Sequence, residues 1–226
     1  MNTINIIKEI LINNQEIEYI YIHNYPSQQL LQCVISFTEN DINHFNKAME
    51  IRDKYHLPFW DSIMLSSFYE ERYSKNFFKY ATHHNTKDKF LIINRDKIDE
   101  FIYNNSLINI AFNSKIILSN METKHIPLFD FHIPVNNTNL NIIKTVLKEL
   151  NIKSGYIVNS GESYHFIGNY YIDYNEYKTI LYKALFFSPI IDKNWIAHQL
   201  IEESSSLRIG YKHNILPILI EKYNII

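Results

Sequence analysis

The residues after position 126 alternate between strand-like and helix-like patterns, and this order constrains the fold more than any other feature of the chain. Strands alternate their side chains with a period of two, whereas amphipathic helices repeat apolar residues every three or four positions. The segments follow each other as strand 127–134, helix 139–150, strands 155–160 and 164–172, helix 174–187 and strand 207–211. This order predicts an α+β fold with a split βαβ, RRM-like sheet, rich in antiparallel pairs and with helices on one face. We expect its other face to be available for a functional site.

The first 122 residues have a less regular pattern of short strands and longer helical stretches. We predict strands at 18–23, 30–37 and 90–93, possible strands at 108–112 and 116–118, a helix at 96–103, and a helical stretch at 42–83. Pro58 is expected to divide that stretch, and Asp41 is its expected N-cap. The sequence therefore predicts an accessory N-terminal α/β unit, residues 1–122, packed on a unit of residues 123–226. Because no linker rich in Gly, Ser or Pro separates them, one continuous domain is the alternative.

The composition of the chain limits which partners the protein can bind and in which cellular compartment it is expected. The 226 residues include 46% hydrophobic side chains, and the formal net charge is −2, so the chain as a whole does not attract nucleic acid, although a local patch could. The single Cys33 excludes an intrachain disulfide and a cysteine-based zinc site, which fits a reducing compartment. We see no secretory signal, and no stretch is apolar over the roughly 18 residues that a membrane helix needs. We therefore expect a cytoplasmic protein without a membrane partner.

The four glycines all lie in the last third of the chain, at Gly155, Gly161, Gly168 and Gly210. Glycine is used where φ is positive or where the backbone approaches another group closely. The segment SGESYH, residues 160–165, surrounds one of them with two serines and a histidine. We predict a tight turn at Gly161, after which Ser163 and His165 share one face of a strand.

Two further segments carry polar residues that could complete a site. In PLFDFHIP, residues 127–134, Asp130 and His132 alternate with apolar side chains, which places them about 7 Å apart on one strand face. Asp192 could complete a carboxylate-and-histidine site for a hard divalent ion. Arg208, on a strand, suits binding of phosphate oxygens, and a structural ion pair with Asp130 or Asp192 is the alternative.

The order of these motifs resembles the archaeo-eukaryotic primase superfamily, most closely small bacterial primase 1D-like proteins. The resemblance covers residues 127–211 and comprises the acidic strand, S-G-x-S-x-H, D-x-x-W-x-x-H-x-L and the following L-R strand. It implies that Asp130, His132 and Asp192 form the catalytic metal site for Mg²⁺ or Mn²⁺. It also implies a set of nucleotide-binding residues: Ser160, Ser163, His165, His198 and Arg208.

The resemblance further implies the activity and the partners of the protein. We expect a primase-polymerase-like nucleotidyltransferase that transfers a nucleotide from an NTP or dNTP to a nucleic-acid 3′ hydroxyl. The template would be single-stranded DNA or RNA. Such a site usually has two carboxylates on its first strand, and His132 stands at one of these positions with a preference for softer metals.

His132 leaves two alternatives to the active polymerase. One is a catalytically degenerate protein with the primase fold that binds nucleotide or nucleic acid without polymerising. The other is a partner-binding module in which the polar residues of the sheet are a hydrogen-bonded core. Because ligands that bind the native state raise its melting temperature, only the first of these alternatives predicts stabilisation by nucleotide.

Overall fold

The computed structural model describes residues 1–24, 38–70, 90–105, 107–108, 110–211 and 214–225. Contacts divide the chain into two compact units, of which the larger combines Met1–Tyr25 with Lys87–Ile226 and the smaller is Pro26–Thr86. The boundary predicted between residues 122 and 123 falls inside the larger unit, in the turn between two paired strands.

The helices and strands are numbered in chain order. The helices are α1 (Thr3–Asn13), α2 (Glu39–Tyr55), α3 (Phe59–Glu70), α4 (Ile98–Asn104), α5 (Asn137–Glu149), α6 (Tyr174–Ala184) and α7 (Lys193–Glu202). The strands are β1 (Ile17–Asn24), β2 (Phe90–Asn94), β3 (Ile110–Leu118), β4 (Thr123–His125), β5 (Leu128–Asp130), β6 (Ser154–Asn159), β7 (Tyr164–Gly168), β8 (Ser206–Arg208) and β9 (Ile218–Asn224). Short 3₁₀ turns precede α4 and follow α6, at Arg95–Lys97 and Leu185–Phe187.

The first sheet of the larger unit is antiparallel, with the order β2-β1-β3-β4 and with β8 also paired to β3. The two strands expected at 108–112 and 116–118 are one continuous strand, β3. Asn113 and Ser114 interrupt its apolar pattern, but both are buried and hydrogen-bonded. The Asn113 amide donates to Ser206 Oγ (2.9 Å), and the Ser114 N–H donates to Ser205 O (2.7 Å). Because their polar groups have partners, these residues do not break the strand.

The second sheet is also antiparallel, with the order β5-β7-β6-β9. Helices α5 and α6 pack on the face that carries Phe129, Ile157 and Phe166. The helices contribute seven buried side chains to this core: Ile143, Val146, Leu147, Tyr177, Ile180, Leu181 and Ala184. The predicted α+β class and its antiparallel pairing are confirmed, and the finer RRM-like arrangement stays a prediction.

The opposite face of the second sheet packs against α1 and the first sheet. Leu128, Val158 and Ile167 are at most 1% exposed and share one apolar core with Ile6 and Phe112. This face is therefore mostly buried, although we expected it to be available for a site. Its polar residues lie where β5 and β6 end and β7 begins, which places them at one end of the sheet.

Several strands are shorter than predicted. The strand expected at 127–134 ends at Asp130, although Phe131 still forms a single antiparallel bridge with Ile191. The strand expected at 164–172 ends at Gly168, and the one expected at 207–211 ends at Arg208. Residues 193–202 form helix α7 and residues 218–224 form strand β9, for neither of which a helix or strand was predicted. The apolar pattern continues past the strand ends, so the pattern alone overestimated the length of the backbone pairing.

The smaller unit contains α2 and α3, and the break predicted at Pro58 is confirmed. The N-cap of α2 is Thr38 rather than the predicted Asp41. Asp41 is the third residue of the helix, and its carboxylate accepts from the Thr38 N–H (2.8 Å), so the two residues form a capping box. The predicted strand 30–37 and the end of the helical stretch at 71–83 lie outside the described residues.

Among the described helices, none is both long enough and apolar enough to cross a membrane.

Candidate functional site

The turn between β6 and β7 is built around Gly161. The hairpin's last pair is Asn159 with Tyr164, and beyond it the Ser160 N–H donates to Ser163 O (2.9 Å). Gly161 has φ +115°, a conformation that side chains with a Cβ rarely adopt. Its N–H donates to Asn159 Oδ1 (2.8 Å). The tight turn predicted at Gly161 is confirmed, with glycine at the first position of a two-residue hairpin loop.

The two serines of this turn are in contact. Ser160 Oγ lies 3.1 Å from Ser163 O and 3.2 Å from Ser163 Oγ. Ser160 is 7% exposed, whereas Ser163 is half-buried. His165 follows two positions after Ser163, so the strand alternation points both side chains to the same face. The turn therefore presents two hydroxyls and an imidazole from neighbouring positions.

Asp130 and His165 face each other across β5 and β7. They are a cross-strand pair, and His165 Nε2 lies 3.5 Å from Asp130 Oδ1. The Asp130 side chain is 34% exposed, whereas that of His165 is only 7% exposed. The carboxylate can therefore reach solvent or a ligand while a mostly buried imidazole supports it. If the imidazole is protonated, this contact is an ion pair.

Asp192 lies on the other side of Asp130. Its backbone N–H donates to Asp130 O (3.4 Å), next to the antiparallel bridge between Phe131 and Ile191. Phe131 and Ile191 belong to the core under the helices, so Asp130 and Asp192 project from the opposite face. Asp192, Asp130 and His165 thus form a row across neighbouring segments of one sheet.

Asp192 also begins helix α7. As its N-cap, Asp192 accepts through Oδ1 from the N–H groups of Asn194 (2.8 Å) and Trp195 (3.3 Å). These bonds fix the orientation of the carboxylate, because an N-cap side chain satisfies the otherwise unpaired donors of the first turn.

His132 and His198 are two further residues of the predicted site. His132 follows the end of β5, and its N–H donates to Ile190 O (2.7 Å). His198 lies on α7 and is 7% exposed. The metal role predicted for His132 and the nucleotide role predicted for His198 stay predictions.

Arg208 reaches the Gly161 turn from the first sheet. Its guanidinium donates to Ser160 O through Nη2, and through Nη1 to Gly210 O (2.9 Å) and Ile215 O (3.2 Å). All three acceptors are main-chain carbonyls; Gly210 and Ile215 are 2 and 7 residues from Arg208, whereas Ser160 is 48 residues away. The structure thus brings Arg208 to the serine turn. The role predicted for Arg208 was to bind phosphate oxygens, with an ion pair to Asp130 or Asp192 as the alternative.

Sequence reasoning missed three supporting residues. Trp195 connects α7 to β8, because its indole N–H donates to Ser206 O (3.3 Å). The Asn159 side chain accepts from the Gly161 N–H and so stabilises the turn, and the sequence Asn-Ser-Gly at the turn could have indicated this role. Ile215 contributes a carbonyl to Arg208, and no pattern around it points to that role.

Ser114, His125, Tyr177 and Ser205 form a buried polar cluster next to the start of β8. Ser114 Oγ is 3.2 Å from His125 Nδ1 and accepts from the Ser205 N–H (2.9 Å). The Tyr177 hydroxyl lies 2.7 Å from Ser205 Oγ, and its ring stacks on His125 with centroids 4.4 Å apart. Burial, followed by the nearby Lys115, lowers the pKa of His125 to about 4. This cluster fixes the segment that leads to Arg208.

The fit of a divalent metal to this site is partial. Asp130 and Asp192 are adjacent and offer the hard oxygen ligands that Mg²⁺ and Mn²⁺ accept. In the part of the chain that the structure describes, no three His, Cys, Asp or Glu residues are grouped to hold a metal ion. The role of Asp130 and Asp192 as metal ligands therefore stays a prediction, and further ligands would come from substrate or water.

The chain belongs to the archaeo-eukaryotic primase 1D-like family, whose sequence model matches residues 95–217, more than half of the chain. The match contains every residue of the site described above, and it begins well before the motifs, so it also includes β3 and β4. The comparisons with curated proteins and with solved structures gave no match.

Proposed function

We propose that this protein is a metal-dependent nucleotidyltransferase of the primase-polymerase type. It would transfer the nucleotidyl group of an NTP or dNTP to a nucleic-acid 3′ hydroxyl on a single-stranded DNA or RNA template, with release of pyrophosphate, in the cytoplasm. The observation that carries the proposal is the row of Asp192, Asp130 and His165 beside the Ser160–Ser163 turn, in a chain of the primase family.

The proposal includes an RRM-like arrangement of the second sheet. The order β5-α5-β6-β7-α6 is followed by residues 190–192, which return beside β5 through the Phe131–Ile191 bridge. This return would supply the fourth strand of a split βαβ unit and would explain why Asp192 lies next to Asp130.

Each residue of the site has a role in this proposal. Asp130 and Asp192 hold the divalent cation, which supplies charge neutralisation for the triphosphate when it is bound. Ser160 and Ser163 donate hydroxyl hydrogen bonds to phosphate oxygens. His165 orients the Asp130 carboxylate and, when protonated, adds positive charge beside the phosphates. Most of the rate enhancement would come from positioning and electrostatic stabilisation, as in other phosphoryl and nucleotidyl transfers.

The direct test is incorporation of labelled nucleotides on a primed single-stranded template with Mg²⁺ or Mn²⁺. Asp130→Asn and Asp192→Asn are expected to reduce product to background. Asp173→Asn is the matched control, because Asp173 caps α6 as Asp192 caps α7, and asparagine preserves the cap. Equal incorporation by the wild type and by both site variants would contradict the proposal.

The second candidate is a degenerate primase-fold protein that binds nucleotide without polymerising. Two observations favour it: a histidine stands two positions after Asp130, and the Asp192 carboxylate already caps a helix. This candidate is supported if nucleotide raises the melting temperature of the protein in the absence of metal and no incorporation product forms with Mg²⁺ or Mn²⁺. No nucleotide-induced rise at all would instead favour a partner-binding module.

A further inference from the structure

Arg208 links the two sheets at the Gly161 turn. It is the last residue of β8 and pairs with Ala111 of β3 in the first sheet, whereas Ser160 follows β6 in the second sheet. The guanidinium donates to the carbonyls of Ser160, Gly210 and Ile215. One side chain therefore connects Ser160, 48 residues away in the sequence, with two carbonyls that lie close to Arg208 in the chain.

The chemistry of these bonds suits arginine in particular. A guanidinium presents several N–H donors in a rigid plane, so it can serve three carbonyls in fixed directions at once. A lysine ammonium keeps the charge but has a compact head on a flexible stem. Hydrogen bonds from a charged donor are stronger than neutral ones, so their loss should loosen the segments they hold.

Two of the residues that accept from Arg208, Ser160 and Ile215, support the turn. Ser160 donates its N–H to Ser163 O while its own carbonyl accepts from Arg208. Ile215, whose carbonyl also accepts from Arg208, lies over the turn: a Cβ on Gly161 would be 3.3 Å from Ile215 Cγ2. The guanidinium thus holds the base of the turn and the residue that covers it.

We infer that Arg208 is a positioning residue that fixes the Gly161 turn so that Ser163 is presented to the phosphates of a nucleotide. It acts through main-chain carbonyls, and its charge is not the principal grip on the triphosphate. The inference rests on the proposed function for the identity of the ligand. The effect of Arg208 on the turn can be measured in the protein without any nucleotide.

The first experiment measures amide hydrogen exchange in the nucleotide-free protein by NMR. In Arg208→Lys the amides of Ser160 and Gly161 are expected to exchange about tenfold faster, while those of α5 change little, because local opening has its own free energy. Arg95→Lys is the matched control, because Arg95 also donates to main-chain carbonyls, those of Leu11 and Ile17. Unchanged exchange at the turn in a folded Arg208→Lys protein would overturn the inference. Should that variant not fold, Arg208→Gln gives the same comparison.

The second experiment is a double-mutant cycle on nucleotide affinity with Ser163→Ala. If Arg208 acts through the turn, Ser163→Ala should cost much less in the Arg208→Lys background than in the wild type. Additive losses would mean that Arg208 contacts the nucleotide independently, which would overturn the inference. Absence of nucleotide binding by the wild type would reject the proposed function, and the exchange experiment would still decide whether Arg208 holds the turn.

Discussion

His165 Nε2 lies 3.5 Å from Asp130 Oδ1, and the two residues are directly opposite on neighbouring antiparallel strands. The imidazole is mostly buried, whereas about a third of the carboxylate side chain is exposed. A contact with this asymmetry stabilises little, because solvent screens the exposed partner. It leaves the carboxylate accessible for a ligand, which favours a functional role over a structural one.

Asp130→Asn is therefore expected to separate activity from stability. Incorporation should fall to background, while the free energy of unfolding should change by no more than about 1 kcal/mol, as for partly exposed ion pairs. Chemical denaturation and the incorporation assay measure the two effects. A loss of about 3–5 kcal/mol would instead identify a buried structural pair.

Ser163→Ala is expected to weaken nucleotide binding about tenfold, the effect of removing one hydrogen bond to a charged group. Ser154→Ala is the control, because Ser154 lies at the opposite end of β6 and its hydroxyl bonds Asn169. Titration calorimetry with a nucleoside triphosphate gives both affinities. Equal affinities for the two variants would remove Ser163 from the site.

Gly161→Ala should destabilise the protein by about 1–3 kcal/mol, because alanine is strained at the positive φ of this position. The added methyl group would also press on Ile215, at 3.3 Å. Glu162→Ala, at the exposed second position of the loop, should change stability by less than about 0.5 kcal/mol. Thermal unfolding of the two variants checks the difference, and a neutral Gly161→Ala would show that the turn adapts.

His125 should make the protein less stable in acid. Burial lowers its pKa to about 4 in the folded state, below the ordinary value of 6.5. The unfolded chain therefore takes up a proton first, and stability is lost as the pH falls from about 6.5 to about 4, by about 3 kcal/mol from this group. His125→Phe keeps a ring beside Tyr177 but cannot titrate, so its stability should fall less over this range. Parallel pH profiles would contradict the assignment.

Arg95→Ala is expected to lower the free energy of unfolding by about 2 kcal/mol, because Arg95 donates to main-chain carbonyls at the end of α1 and at the start of β1. Its guanidinium donates to Leu11 O (2.8 Å) and Ile17 O (3.1 Å). Lys97→Ala is the control, because Lys97 forms an exposed pair with Glu100 that should contribute little. Urea denaturation of both variants provides the comparison.

Local chemistry made much of the fold predictable. The period of the apolar residues predicted helices α4, α5 and α6 and most strands of the larger unit, but not helices α1 and α7. Pro58 and Gly161 marked a helix break and a turn through their own backbone restrictions. The serine and histidine of the turn were predicted to share a face because side chains alternate along a strand. These features depend on residues a few positions apart, so a short segment of sequence contains the information.

The tertiary structure decided the rest, because it depends on contacts between distant residues. Asn113 and Ser114 continue β3 because Ser205 and Ser206 supply their hydrogen bonds from more than 90 residues away. The pairing of residues 190–192 beside β5 brings Asp192 to Asp130, and no spacing in the chain determines that distance. Arg208 could be recognised as part of the site from its motif, but its bonds to Ser160 and Ile215 depend on how the two sheets pack. The free energy of burying apolar surface drives that packing without fixing any single polar contact, so such contacts can be read only from the folded chain.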